Sequence, residues 1–178
     1  IAEVLRDSGY ETTMSGKWHL SGWGDADDPS LMPPARGFEH FFGTIIGAGS
    51  FFHPHSLRRG TQTFVPPDDF YYTDAITSDA VTSIRRCTQN QIPFFQYVAY
   101  TAPHWPMHIP EDDLSVDKYK RKYASGWDRI RRERFHRLLK LGILDSAAQL
   151  SPRNDRVSTW TESADIQWQI HRMAVYAA

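Results

Sequence analysis

Lys17 and His19 stand two positions apart in GKWHL, residues 16–20, and His104 lies in TAPHWP, residues 101–106. A lysine ammonium is a compact positive charge that can neutralise an anionic group, and imidazole trades protons near neutral pH. Together they suit chemistry on an anion in which a proton has to move. Each has a plainer reading alone. A lone loop histidine is more often a surface or hydrogen-bonded structural group, and a lone lysine is a solvated charge. Only joint placement makes a site, so the flanking elements decide the matter.

YETTMSG, residues 10–16, is rich in β-prone and small residues and reads as a short strand running into GKWHL. PFFQYVAYT, residues 93–101, is aromatic and branched with hardly a polar interruption. That is the pattern of a strand in the middle of a parallel sheet, covered on both faces. Between them TDAITSDAVTSIRRCTQN, residues 73–90, predicts a helix capped by Thr73 and ended by Asn90. Its inner face is expected to carry Ile76, Ala80, Val81, Ile84 and Cys87, which makes Cys87 a core residue. Residues 21–36 read as a loop, RGFEHFFGTII, residues 36–46, as a compact aromatic segment, and 47–69 as a second loop. Strands alternating with helices imply an α/β fold. Lys17, His19 and His104 then follow the carboxyl ends of two strands, where open α/β sheets bind ligands.

The chain has 178 residues, 40% of them hydrophobic and 13% aromatic, enough for a real core. A formal charge of −1 sets up no global field toward nucleic acid. No apolar run approaches the roughly 18 residues of a membrane span. One cysteine excludes an internal disulfide framework. At the start, Ile1, Val4 and Leu5 share a helical face, with Gly9 as the C-cap. At the other end, Ile166, Ile170, Met173 and Ala177 repeat at helical spacing. Both ends read as cut through helices, so residues 1–178 are expected to be an internal part of one longer catalytic domain.

GYETTMSGKWHL, PPARGFEHFFGTIIGAGS, YYTDAITSDAV and PFFQYVAYTAPHWPMHIP follow one another in the order found in type I, formylglycine-dependent sulfatases, and the chain resembles the bacterial arylsulfatase-like group. The resemblance continues through KYASGWDRIRRERFHRLLKLGIL and LSPRNDRVSTW to HRMAVYAA, nearly the whole chain. It implies a portion of the α/β/α sandwich of the alkaline phosphatase superfamily and a sulfuric ester hydrolase. By resemblance, Lys17 contacts the sulfate and the formylglycine side chain, and His19 acts on the hydroxyl of the hydrated formylglycine. His104 binds the sulfate or assists the leaving oxygen. The family's C-x-P-x-R or C-x-A-x-R nucleophile motif is not found at Cys87, which reads CTQNQ, and would precede Ile1. The Asp and Asn ligands of the family's Ca²⁺ and a second sulfate-binding lysine are missing as well. These residues alone are therefore expected to hydrolyse nothing. The resemblance further implies a small-molecule or glycan sulfate ester as substrate, a formylglycine-generating or anaerobic maturase as partner, and a periplasmic or secreted location.

Other readings compete. A phosphonate or phosphodiester hydrolase of the same superfamily shares the chemistry, and a non-catalytic homologue would keep the fold and bind sulfated glycans. Residues 118–140 hold ten of the chain's 20 Lys and Arg and predict a cationic helix, with Ser125 as cap and Gly142 as end. Its apolar residues Ile130, Phe135, Leu138, Leu139 and Leu141 favour a packed side with arginines in solvent over a nucleic-acid grip. His53 and His55 in HPH lack a third ligand in register, so a metal site there is disfavoured. Trp23, Phe51 and Trp105 are candidate exposed platforms for a sugar or aryl ring, with packing an equal alternative for each.

Overall fold

The computed structural model describes residues 1–22 and 27–178. They form two compact units, residues 1–108 and 109–178. In the first, α1 (Ala2–Asp7) ends at Ser8 and hands over to β1 (Glu11–Gly16). Gly9, at φ +87°, makes the reversal: its N–H donates to Arg6 O and that of Tyr10 to Leu5 O, satisfying the last carbonyls of the helix. The expected face differs from the observed one. Ala2 is buried, whereas Ile1 and Val4 are exposed.

Two short 3₁₀ turns, Pro29–Leu31 and Pro33–Arg36, precede β2 (His40–Thr44). The segment read as a second loop contains a hairpin, β3 (Leu57–Arg59) and β4 (Gln62–Thr63), turned at Gly60. Such short strands, rich in arginine and threonine, leave no apolar alternation to read. The next helix, α2 (Tyr72–Gln89), is followed by β5 (Phe94–Ala99). The expected C-cap Asn90 is observed. The cap at Thr73 is not, because the N-cap falls two residues earlier, at Tyr71, with no side-chain cap. Tyr72 displaces it: its N–H donates to Phe51 O, and its buried hydroxyl bonds Thr44. The buried stripe is Tyr72, Ile76, Ala80, Ser83 and Cys87, while Val81 and Ile84 remain partly exposed.

The sheet order is β4-β3-β2-β1-β5. β1 pairs in parallel with both β2 and β5, with Ser15 opposite Phe42 and Gly16 opposite Ala99. β3 and β4 continue the sheet antiparallel. Alternation along β1 sends Met14 to one face, where it packs with Ala2, Phe38, Phe41 and Ile45. On the other face Ser15 donates to Asp79 of α2 at 2.7 Å, beside a core of Phe42, Phe51, Leu57, Tyr72 and Ile76. Helices on both faces of a mixed sheet, parallel over β2, β1 and β5, give the expected α/β/α layering.

Among the three parallel strands, however, the middle one is β1, and β5 lies at the edge of the sheet formed by the described residues. Tyr97 is 47% exposed and Val98 37% on the outer strand. A continuous apolar run reports apolar faces, not a strand's place across the sheet. At the other end of these strands, Glu11 binds Arg86 and accepts from the Cys87 thiol at 3.2 Å. Burial alone would raise the Glu11 carboxyl, but Arg86 and Cys87 hold it below its ordinary range.

The second unit comprises α3 (Ser115–Tyr123), α4 (Trp127–Lys140) and α5 (Ile166–Ala177), with α3 packed on α5. The single basic helix expected over 118–140 is two helices, broken where Gly126 takes φ +79°. Ser125 therefore bonds Lys122 O at the end of α3 instead of capping α4. No residue of α4 is fully buried, but its apolar residues Ile130, Phe135, Leu138 and Leu139 are each largely covered, as a packed side requires.

Candidate functional site

The site is built where β1, β2 and β5 end. Gly16 has φ +121°, and a Cβ there would stand 2.0 Å from Ala99 O; one on Gly43 would stand 1.7 Å from Gly16 O. The three strand ends thus approach as closely as backbone allows. The chain leaving β1 stays bonded to both neighbours. Lys17 N–H donates to Ala99 O at 2.8 Å, Trp18 N–H to Thr44 O at 2.9 Å, and His19 N–H to Ile45 O at 3.0 Å. Trp18 anchors the stretch, its indole donating to Leu31 O at 2.8 Å and its ring edge-on to Phe38.

Lys17 is half-buried, and burial holds its ammonium below the usual lysine range. No carboxylate lies within ion-pair distance of it among the described residues. A partly desolvated cation without a counter-charge is what an incoming anion would complete. His19 is exposed, in the left-handed region at φ +57°, with its imidazole over the backbone of Gly47. A non-glycine residue held there costs on the order of 1–3 kcal/mol, so its surroundings fix the backbone.

His104 is exposed in the loop after β5, its N–H donating to Thr101 O at 2.9 Å. Its Nδ1 bonds Trp105 O. A carbonyl only accepts, so Nδ1 carries the hydrogen and Nε2 is left for another partner. The structure therefore brings Lys17 and the loop of His104 to adjacent carboxyl ends, Gly16 opposite Ala99. No side-chain hydrogen bond joins Lys17, His19 and His104 among the described residues. A void of about 10 Å³ lies beneath, lined by Thr44, Gly47, Tyr72 and Thr101, room for about one water.

A model of the sulfatase family matches residues 1–176. The chain belongs to the sulfatase family. It is 32% identical over 192 residues to an arylsulfatase of Klebsiella aerogenes, covering all of this chain and 39% of that protein. An uncharacterised sulfatase of Schizosaccharomyces pombe is 28% identical over 197 residues, again covering all of this chain and 34% of the relative. The chain thus spans well under half the length of these relatives. In fold it resembles the crystal structure of Ps i-CgsB in complex with k-i-k-neocarrahexaose, with TM-score 0.55 and 24% identity over 65% of this chain and 29% of that one.

For several residues of this sulfatase-family chain the structure chooses between the alternatives left open by the sequence. Phe51 is 2% exposed and packs in the core, so it offers no platform. Trp105 is 74% exposed and remains one, and Trp23 lies outside the described residues. His108 is structural: its Nδ1 accepts from Phe51 N–H at 3.2 Å and its ring stacks on Phe52. His53 and His55 are exposed, and no group of three metal-ligating side chains occurs among the described residues.

Cys87 is buried on α2, its thiol raised by burial and by Glu11, as befits a core residue. A supporting layer went unread in the sequence. Asp79 accepts from Ser15 and from Arg59 at 3.0 Å, Gln96 donates to Ser15 at 3.0 Å, and Tyr72 is pushed up to about 12 by burial despite its bonds to Thr44. These polar residues have no shared sequence motif, and only the pairing of β1, β3 and β5 in one sheet with α2 packed on it assembles them.

Gly47 gives a test of how His19 is held. A Cβ there would stand 2.2 Å from the imidazole, the mobile end of a side chain. Gly47→Ala is expected to shift the His19 ring resonances in NMR and to cost less than the roughly 1–3 kcal/mol of core overpacking. Unmoved His19 resonances would show that the ring does not rest on Gly47.

Proposed function

We propose that residues 1–178 supply the sulfate-binding edge of a sulfuric ester hydrolase that cleaves a small-molecule or glycan sulfate monoester. The observation that carries this reading is the half-buried Lys17 ammonium, without a carboxylate partner among the described residues, on a strand end bonded to the one that leads to His104. In the proposal Lys17 neutralises a sulfate oxygen, and His104, as the imidazolium with Nδ1–H held by Trp105 O, donates from Nε2–H to the leaving oxygen. His19 is the base for a hydroxyl proton; such help is worth about 10²–10⁴ in rate.

A formylglycine contributed from outside these residues would supply the attacking hydroxyl. Lys17, His19 and His104 offer an ammonium and imidazoles, not the roughly six to eight oxygens that calcium takes, so these residues do not fit the calcium implied by resemblance. No step here runs through it. The maturase partner and a periplasmic or secreted location belong to the same proposal.

The test compares an aryl sulfate with an aryl phosphonate on the complete gene product. A kcat/KM favouring the sulfate, abolished on replacing the nucleophile cysteine, is the expected result. Preference for the phosphonate would install the phosphonate hydrolase reading. Binding of sulfated glycans without turnover of either ester would install the non-catalytic one.

A further inference from the structure

Four arginines of the second unit, Arg129, Arg131, Arg132 and Arg153, line a cavity of about 520 Å³ together with Asp128 and Trp160. The sequence alone had put the arginines of α4 in open solvent. Their partners explain how they are held. Arg131 donates to Ser151 O at 2.6 Å and to Ser151 Oγ at 2.8 Å, and Arg153 donates to Val157 O at 2.9 Å. These neutral acceptors orient the Arg131 guanidinium without cancelling its charge and hold one side of Arg153, and each arginine keeps further N–H donors.

The one carboxylate in the lining, Asp128, already accepts from Trp160 N–H at 2.8 Å and lies 3.8 Å from Arg153 Nε. Arg129 pairs with Glu133 at 2.6 Å, and Arg132 has no carboxylate partner among the described residues. The wall opposite is rigid. Trp160 stands edge-on to Trp127 at 4.8 Å, and its indole lies so close to Gly126 that a Cβ there would meet it at 2.3 Å. The positive end of the α4 dipole, with no side-chain cap, adds to the same potential.

Guanidinium forks match tetrahedral oxyanions bidentately, and the volume is that of a site for a sugar-sized molecule. We propose that residues 109–178 carry a binding site for a monoester oxyanion, sulfate or phosphate, borne on a monosaccharide-sized ligand. This site is made by the second unit alone and does not depend on Lys17. A concave pocket of this volume with an indole on one side, in contrast to a flat cationic stripe, favours such a ligand over a nucleic-acid backbone.

Titration calorimetry on the 178-residue chain carrying Lys17→Met, which disables the first anion site, tests it with glucose 6-sulfate, glucose 6-phosphate and glucose. One of the esters is expected to bind one-to-one, at least about tenfold more tightly than glucose. Whichever ester binds better identifies the source of the oxyanion. Arg132→Gln is expected to weaken that binding about tenfold or more at unchanged Tm, since Arg132 makes no side-chain hydrogen bond or ion pair among the described residues. Arg131→Gln, read the same way, covers the case in which the ligand sits nearer Ser151. Heat with neither ester, equal affinity for glucose, or insensitivity to both substitutions overturns the proposal. So does binding of a short single-stranded RNA with no heat from either ester.

Discussion

Replacing Lys17 by methionine in the complete enzyme is expected to lower kcat/KM for an aryl sulfate about 10²–10³-fold, the usual cost of removing one preorganised charge stabiliser. The fold is expected to stay intact or gain. Methionine keeps the unbranched stem, and the ammonium it removes is half-buried without an ion pair among the described residues. The sign of the stability change follows from linkage. Burial lowers the Lys17 pKa in the folded chain, so below that pKa the native state carries a desolvated charge that the unfolded chain carries at no such cost.

Between the lowered value and the ordinary lysine value the unfolded state binds more protons, and wild-type stability rises with pH. That rise is expected to be missing from Lys17→Met in denaturant titrations across the alkaline range. Added sulfate should raise the Lys17 pKa toward its ordinary value, readable by NMR of the side-chain Cε and Nζ, because an anion restores what burial removed. A variant with full activity and wild-type pH dependence would remove Lys17 from the site.

Those expectations show which features the residues disclose by themselves. GKWHL and APHWP were legible because both follow β-prone runs, and a parallel pairing of those runs brings their ends together. β1 and the end of α2 at Asn90 were equally plain. The place of β5 was not: an apolar run says that both faces are greasy, and nothing in PFFQYVAYT distinguishes an outer strand from an inner one. Phe51 looked like a candidate platform, yet it is sealed beside Tyr72, a contact between residues far apart in the chain.

The arginines of α4 looked solvated because helical periodicity sees only one helix. Their cavity needs Arg153 and Trp160, which arrive some twenty residues later from irregular chain. Local pattern fixes element type; partners across long sequence separations fix which face of an element is used.

The closeness of the strand ends supplies the second large effect. Gly43→Ala is expected to destabilise the chain by about 3 kcal/mol or more, because the new Cβ would stand 1.7 Å from Gly16 O. Neither atom belongs to a side chain that can swing away, so β2 and β1 must separate. In a chain of this size that corresponds to a fall in Tm of at least about 6 °C. Separation also loosens the bonds from Trp18 N–H to Thr44 O and from His19 N–H to Ile45 O, which position the site. Activity should therefore fall further than the unfolded fraction explains.

Gly60→Ala is the control. Gly60 has φ +60° with nothing within 4 Å of a Cβ, so that substitution carries a left-handed backbone penalty of roughly 1–2 kcal/mol and no clash. Gly43 is the reverse case, a clash with no left-handed φ. If Gly43→Ala melts no lower than Gly60→Ala, the strand ends are not pressed together, and another force must hold Lys17 beside the loop of His104.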